Sequence, residues 1–149
     1  MSSTAQSSPA PKPLEYGPSI TLEQAKRIMD AAEAEAEANG WPMAIAIVDT
    51  GAHLVMLHKL DHTQLNSIAI AQRKAETAVK MKRATKVLED AVIAGGPGLR
   101  ILSLDGVVTL EGGVPILMDG KIIGGIGVSG MSSAQDGITA AAGIKALNG

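Results

Sequence analysis

The chain has no cysteine and no phenylalanine, and its aromatic complement is one tryptophan, Trp41, and one tyrosine, Tyr16. Without cysteine, a disulfide framework, a thiol nucleophile and a thiolate metal site are excluded, which suits a reducing compartment. Without aromatic platforms, and with a formal net charge of −2, the chain has neither the stacking nor the electrostatic means of holding a nucleic acid. Gly, Lys or Asp interrupts every apolar segment short of the ~18 residues of a membrane span. Residues 1–18, MSSTAQSSPAPKPLEYGP, lack the apolar core of a secretory signal. The reading is a cytoplasmic protein with no membrane or nucleic-acid partner.

What is present is a chain of 149 residues, 46% hydrophobic, whose core must be built from Ala, Val, Ile, Leu and Met. That length fits one domain. Residues 1–18, rich in Ser, Pro and Ala, read as a disordered tail, and residues 19–149 as a single domain.

Thr21 and Gln24 stand at capping-box spacing, and Leu22, Ala25, Met29, Ala32 and Ala36 recur at helical intervals until Asn39-Gly40. MAIAIVD (43–49) and HLVMLHKL (53–60) read as a hairpin, and residues 65–83 and 85–94 as two helices. LRILSL (99–104) and residues 107–110 are expected to be strands. VPILM-DG-KIIGGIGVS (114–129) places Asp119-Gly120, the preferred pair for a type I′ turn, between two β-rich runs. SSAQDGITAAAGIKALN (132–148) closes the chain as a helix with Ser132-x-x-Gln135 and Ser133-x-x-Asp136 at its start. Tight turns between strands, with helices between hairpins, predict an antiparallel sheet with helices on its faces.

GIGVSG (125–130) matches the dinucleotide fingerprint G-x-G-x-x-G, but only 19 residues follow it and no acid occurs after Asp136. The second strand and the ribose-binding acid of a βαβ unit have no place. The glycines therefore mark close approach: a helix lying on the sheet at Gly124 and Gly125, or, for Gly127, Ser129 and Gly130, an anion site before a helix N-terminus. GVSG also falls short of the nucleophile elbow, because Met131 stands at its last position and no histidine follows. Gly112-Gly113, before Val114-Pro115, makes a tight turn or exposes its N–H groups to a ligand.

All three histidines fall within ten residues, at positions 53, 58 and 62. His58-Lys59-Leu60-Asp61-His62 resembles an inverted zinc motif, yet it lies where a strand runs into a loop and has Asp in place of Glu, so no metal centre is assigned. A single imidazole can still serve haem iron as an axial ligand, from His58 or His62. The run 72–86 carries six basic residues against one acid. Most of these read as a solvated helix face, but Lys74 borders the apolar side, where its ammonium can face a pocket.

Three stretches together resemble the GlcG/HbpS family, which includes the C-terminal domain of PduO-type proteins. They are LNSIAIAQRKAETA with its K-A-x-T-A end, GGVPILMDGKIIGGIGVSG, and the helix start SSAQD. The resemblance implies a profilin-like α/β (α+β) fold, a central five-stranded antiparallel sheet between helices, in a homo-oligomer, commonly a tetramer or octamer. It also implies haem or corrinoid ligands in some members and catabolic roles in others. By position it points to Lys74, Thr77, Gly112, Gly113, Pro115, Ser129, Gly130 and Asp136. Where the family often has Arg-Met-Asp this chain has Lys59-Leu60-Asp61, which keeps the charge and loses the bidentate fork.

The functional expectation is a small organic anion, a carboxylate, held by Lys74, Thr77, Lys59, the Gly112-Gly113 turn, Pro115, and Ser129, Gly130 and Ser132 at the final helix. If chemistry follows, it is proton transfer or water addition on an unsaturated oxo- or dicarboxylic acid, with Asp136 or His58 moving protons. The alternative is haem binding or haem degradation.

Overall fold

The computed structural model describes residues 12–148. Its elements run β1 (Glu15–Tyr16), α1 (Leu22–Asn39), β2 (Ala44–Asp49), β3 (Leu54–Lys59), α2 (Asn66–Met81), α3 (Thr85–Ala94), a 3-10 helix (Gly96–Ser103), β4 (Gly113–Met118), β5 (Lys121–Ser129) and α4 (Ser133–Asn148). Local chemistry sets several of these boundaries. At the start of α1 the Gln24 N–H donates to Thr21 Oγ1 at 3.1 Å while the Thr21 N–H donates to Gln24 Oε1 at 2.9 Å. Gly40, in left-handed backbone at φ 68°, ends the helix. Asp119 and Gly120 have φ of 53° and 76°, the paired positive values of a type I′ turn, and join β4 to β5.

The sheet is organised around β5, which pairs antiparallel with β2 along one edge and with β4 along the other; β3 lies outside β2. β1 pairs in parallel with Lys121 and Ile122. Because β4 already occupies the other edge at those residues, β1 must lie on the β2 side, beyond the end of β2. The result is the expected five-stranded sheet with helices on its faces, antiparallel except for that one pair.

Two expected strands are absent. Residues 99–103 belong instead to the 3-10 helix, with Leu104 at its C-terminal cap, because Gly95 and Gly96 turn the chain at φ 74° and 60° and Gly98 lies against the carbonyl of Ala91 on α3. Residues 107–110 form no strand: the Val108 N–H donates to Thr77 Oγ1 at 3.1 Å, a side chain of α2, and not to a neighbouring strand. The fifth strand comes from residues 15–16, within the stretch read as tail. Tyr16 pairs with Ile122, and its hydroxyl donates to the carbonyl of Val79 at 2.7 Å. Residues 1–11 of that tail lie outside the described residues.

Each sheet face is covered by a different chemistry. On one, α1 and α4 bury Ile28, Met29 and Ala140 against Ile45, Ile47, Ile126 and Val128. On the other, α2 approaches β5 backbone to backbone. A Cβ at Gly127 would stand 2.0 Å from the Ala71 carbonyl oxygen, and one at Gly125 would stand 2.7 Å from that of Ala75. Gly127, read as a member of an anion site, is instead roofed by α2, like Gly125. The lack of side chains here, with Ala71 and Ala75 opposite, is what brings helix and sheet together. No helix among the described residues is long and apolar enough to cross a membrane.

Gly127→Ala should therefore lower the unfolding free energy by about 1–3 kcal/mol or more, the usual cost of overpacking. Urea denaturation checks this; an unchanged midpoint would mean that α2 can lift off β5 freely.

Candidate functional site

Lys74 projects from α2 and is only 1% exposed. Its Nζ donates to the carbonyl of Val128 at 2.8 Å and to Asp136 Oδ2 at 3.0 Å. Asp136 belongs to the first turn of α4, on the opposite face of the sheet, so the ion pair runs through the sheet layer. Passage is possible because Gly112 has no side chain: a Cβ there would stand 2.8 Å from Nζ, 2.5 Å from the Val128 oxygen and 3.0 Å from the Asp136 Cβ. The other carboxylate oxygen, Oδ1, accepts the Met131 N–H at 3.1 Å. The negative charge at the start of α4 is thus supplied by the protein itself, where the helix dipole favours it.

Burial holds the Asp136 carboxyl above its ordinary value, and Glu111 pushes the same way; the Lys74 ammonium and the Met131 N–H offset this only in part. Glu111 lies against Gly137 on α4 and faces Lys86 of α3, whose Nζ is 3.9 Å from Glu111 Oε1. Charged side chains therefore lead from the interior at Lys74 out to α3, with the two carboxylates, Asp136 and Glu111, between the two lysines.

The remaining residues named from the sequence divide between this cluster and other places. Gly113 is adjacent: its N–H donates to Thr85 Oγ1 at 2.9 Å. Thr77 Oγ1 donates to the Arg73 carbonyl and accepts from Val108, and so is occupied locally. Pro115 lies within β4, opposite Gly125. Ser129 is buried with its hydroxyl 3.3 Å from that of Ser67. Gly130, at φ 151°, lies against the Pro42 carbonyl, which a Cβ would approach to 2.4 Å. Ser132 caps α4 reciprocally with Gln135, at 3.2 and 3.3 Å.

The histidines are elsewhere. His58 sits in register with Ile45, and Ile45 with Val128, which places it two strands from the Lys74 contact, roughly 10 Å away. Its Nδ1 contacts Glu33 of α1. Lys59 and His62 instead line an open cleft of about 490 Å³ with Ala36, Glu37, Gly40, Trp41, Pro42, Leu60 and Asp61. His62 holds a left-handed backbone at φ 68° at the turn leading toward α2. Such a conformation in a non-glycine residue costs of order 1 kcal/mol or more and is concentrated at ligand sites.

Sequence reasoning missed Trp41, Glu33, Glu111 and Thr85. For Trp41 a signal existed, since it is the only tryptophan and follows the helix stop at Gly40. Thr85 carried none, because its role depends on β4 lying alongside it.

The family description "Haem degrading protein HbpS-like" matches residues 20–145. Protein GlcG of Escherichia coli K12 is 38% identical over 110 residues, 74% of this chain and 81% of that protein. A crystal structure described as a PduOC:heme complex superposes with a TM-score of 0.79 at 33% identity, covering 87% of this chain and 96% of the other. A double mutant of Streptomyces reticuli HbpS gives a TM-score of 0.81 at 28% identity, covering 98% of this chain and 99% of the other.

Either Lys74→Met or Asp136→Leu alone should cost about 3–5 kcal/mol, because each leaves a buried charge without its partner, and the double substitution should cost far less than their sum. Denaturant melts of the four proteins measure this, and additive costs would mean that the pair is not a coupled unit. The sign of the pH dependence follows from the raised carboxyl. The native state holds the Asp136 proton more tightly than the unfolded chain, so this contribution is full below the ordinary value of 3.8 and is lost as pH rises through the raised value. Relative to Asp136→Asn, the wild type should lose stability as pH is raised from acid toward neutral.

Proposed function

The chain belongs to the HbpS-like haem-degrading protein family, and from that membership we propose that it binds haem, or a haem-like anionic tetrapyrrole, in the cleft between the α1–β2 and β3–α2 connections. The observation that carries this reading is the lining of that cleft, where Trp41, Pro42 and Leu60 form an apolar wall beside the imidazole of His62 and the ammonium of Lys59. A volume of about 490 Å³ falls within the usual range of small-molecule sites.

The donor set suits the group. His62 and Lys59 are exposed in the cleft, where His62 would hold the iron and Lys59 a propionate, while Trp41 and Leu60 would exclude water from part of the ring. Glu37 and Asp61 also line the cleft and would repel propionates, favouring a ligand placed with its carboxylates at Lys59. His58 is the alternative imidazole, but its Nδ1 is engaged by Glu33. Bound haem supplies redox and oxygen chemistry, with the protein contributing ligation and solvent access.

A second reading keeps the small organic carboxylate. What favours it is the buried Lys74 beside a carboxyl that burial biases toward its neutral form. A ligand carboxylate taking the charge of Lys74 would leave Asp136 to accept a proton, and so to act as the acid or base of an enolisation or hydration.

The homo-oligomer belongs to the same proposal. Ile93 of α3 and Leu99 and Leu102 of the 3-10 helix are 76%, 49% and 60% exposed, an apolar surface of the kind that subunit contacts cover.

Haemin added to the purified protein should give a saturable Soret shift together with quenching of Trp41 fluorescence. His62→Ala should abolish the shift, and Lys59→Ala should weaken binding by about 1 kcal/mol, roughly fivefold. A broad spectrum insensitive to substitution of both His62 and His58 would overturn the haem reading. Saturable binding of a small carboxylate, lost in Lys74→Met, would establish the second.

A further inference from the structure

The residues that follow β5 connect the buried ion pair to a cleft that neither Lys74 nor Asp136 lines. Asp136 Oδ1 accepts the Met131 N–H at 3.1 Å. The preceding residue, Gly130, is pressed against Pro42 and Met43: a Cβ on it would stand 2.4 Å from the Pro42 oxygen and 2.9 Å from the Met43 Cα. One turn beyond Asp136, α4 meets the same segment again, where Thr139 Oγ1 lies 3.3 Å from Met43 Sδ and 3.2 Å from the Gln135 carbonyl. Thr139 and Met43 are both fully buried. From Pro42 and Met43 the contacts divide to the two walls of the cleft. Pro42 is itself wall, next to Trp41, and the Met43 carbonyl accepts the Leu60 N–H of the opposite wall at 3.0 Å. The path from the buried carboxyl to the cleft is thus made throughout of packed or hydrogen-bonded contacts, the physical requirement for coupling two separate places.

We propose that Asp136 is a positioning residue for the cleft, and that its charge state sets how firmly the Trp41–Pro42 wall is held. As a carboxylate it pairs with Lys74 and gives the Met131 N–H a charged acceptor, which holds the turn at Gly130 and Met131 against Pro42. As a neutral acid it loses the pair and keeps a hydrogen bond about half as strong, so the turn and the wall resting on it loosen. The charged groups around Asp136 are Lys74 of α2 and Glu111 before β4, with Lys86 and Asp90 of α3 beyond Glu111; β5 adds the uncharged Val128 carbonyl, bonded to the same ammonium. Burial and Glu111 favour the neutral acid and Lys74 the carboxylate, so both states are within reach. Any ligand of the cleft is then linked to a proton that it never meets. That last consequence rests on the cleft reading above; the effect on the wall does not.

Trp41, the only tryptophan, reports on the wall in the ligand-free protein. Its fluorescence should carry a titration that is lost in Asp136→Asn and displaced to lower pH in Glu111→Gln, because removing the second carboxylate makes Asp136 easier to ionise. Glu37, Lys59, Asp61 and His62 line the cleft beside Trp41 and are unchanged in both variants, so their own titrations appear in all three curves and cancel. Glu111→Gln leaves the buried pair intact, which keeps the comparison open should Asp136→Asn fold poorly. The protection of the Met131 amide against hydrogen exchange, corrected for the intrinsic rate, should fall roughly tenfold as Asp136 takes up its proton, a response that a purely structural carboxyl does not give. Haemin should bind Glu111→Gln about fivefold more tightly than wild type on the acid side of the titration and equally on its alkaline side. A Trp41 titration identical in all three proteins, with Met131 protection independent of pH, would overturn the proposal whatever haemin does. The displaced titration without saturable haemin binding would support control of the wall and overturn the haem reading instead.

Discussion

A positive charge on one face of a sheet and a negative charge on the other can pair directly only where the sheet is open. In this protein the Lys74 ammonium reaches Asp136 past Gly112, and much of the surrounding architecture follows from keeping that route clear. Gly112 must be side-chain-free. Gly113 must let the Lys74 backbone approach, since a Cβ there would stand 2.3 Å from the Lys74 carbonyl oxygen. α4 must begin where its first turn can present Asp136, which the reciprocal Ser132 and Gln135 cap ensures. The pair also lies where two helical layers would otherwise be linked only through the sheet, so it fixes α2 and α4 relative to each other.

A nearly aromatic-free core fits this arrangement. Alanine along α2 and glycine along β5 allow backbone contact between helix and sheet, and close contact is what lets a single lysine side chain span the layer. Aliphatic bulk is reserved for the other face, where Ile28, Met29, Ile45, Ile47 and Ile126 fill the space beneath α1 and α4. The asymmetry explains why a sequence rich in glycine inside a strand still folds: the packing lost at Gly125 and Gly127 is recovered as dispersion contact with the α2 backbone.

Features encoded by neighbours in sequence were legible from the sequence. The Thr21 and Gln24 box, the Asp119-Gly120 turn and the start of α4 each need only a few residues to specify them, and the family resemblance carried the five-stranded sheet between helices. Features encoded by distant partners were not. The strand at Glu15–Tyr16 exists only because β5 leaves an edge open beside Lys121 and Ile122. Lys74 was recognisable as unusual, but the sequence could not say that its partner lay 62 positions away and inside the protein. Thr77 was recognisable too, yet its hydroxyl serves to hold the loop at Val108, which removed a strand expected there. The cleft at Trp41 depends on two connections meeting in space, which no local pattern describes.

The contact of Gly130 with the Pro42 carbonyl joins these two regions. Pro42 forms part of the cleft wall, and Gly130 leads directly into the turn whose Met131 N–H is fixed by Asp136. One wall of the cleft is therefore braced by the most buried ion pair among the described residues, although the cleft itself is made from surface connections. For a ligand binding in the cleft as proposed, a wall braced in this way would be ordered beforehand, so the entropy of ordering it would be spent during folding and not charged against affinity.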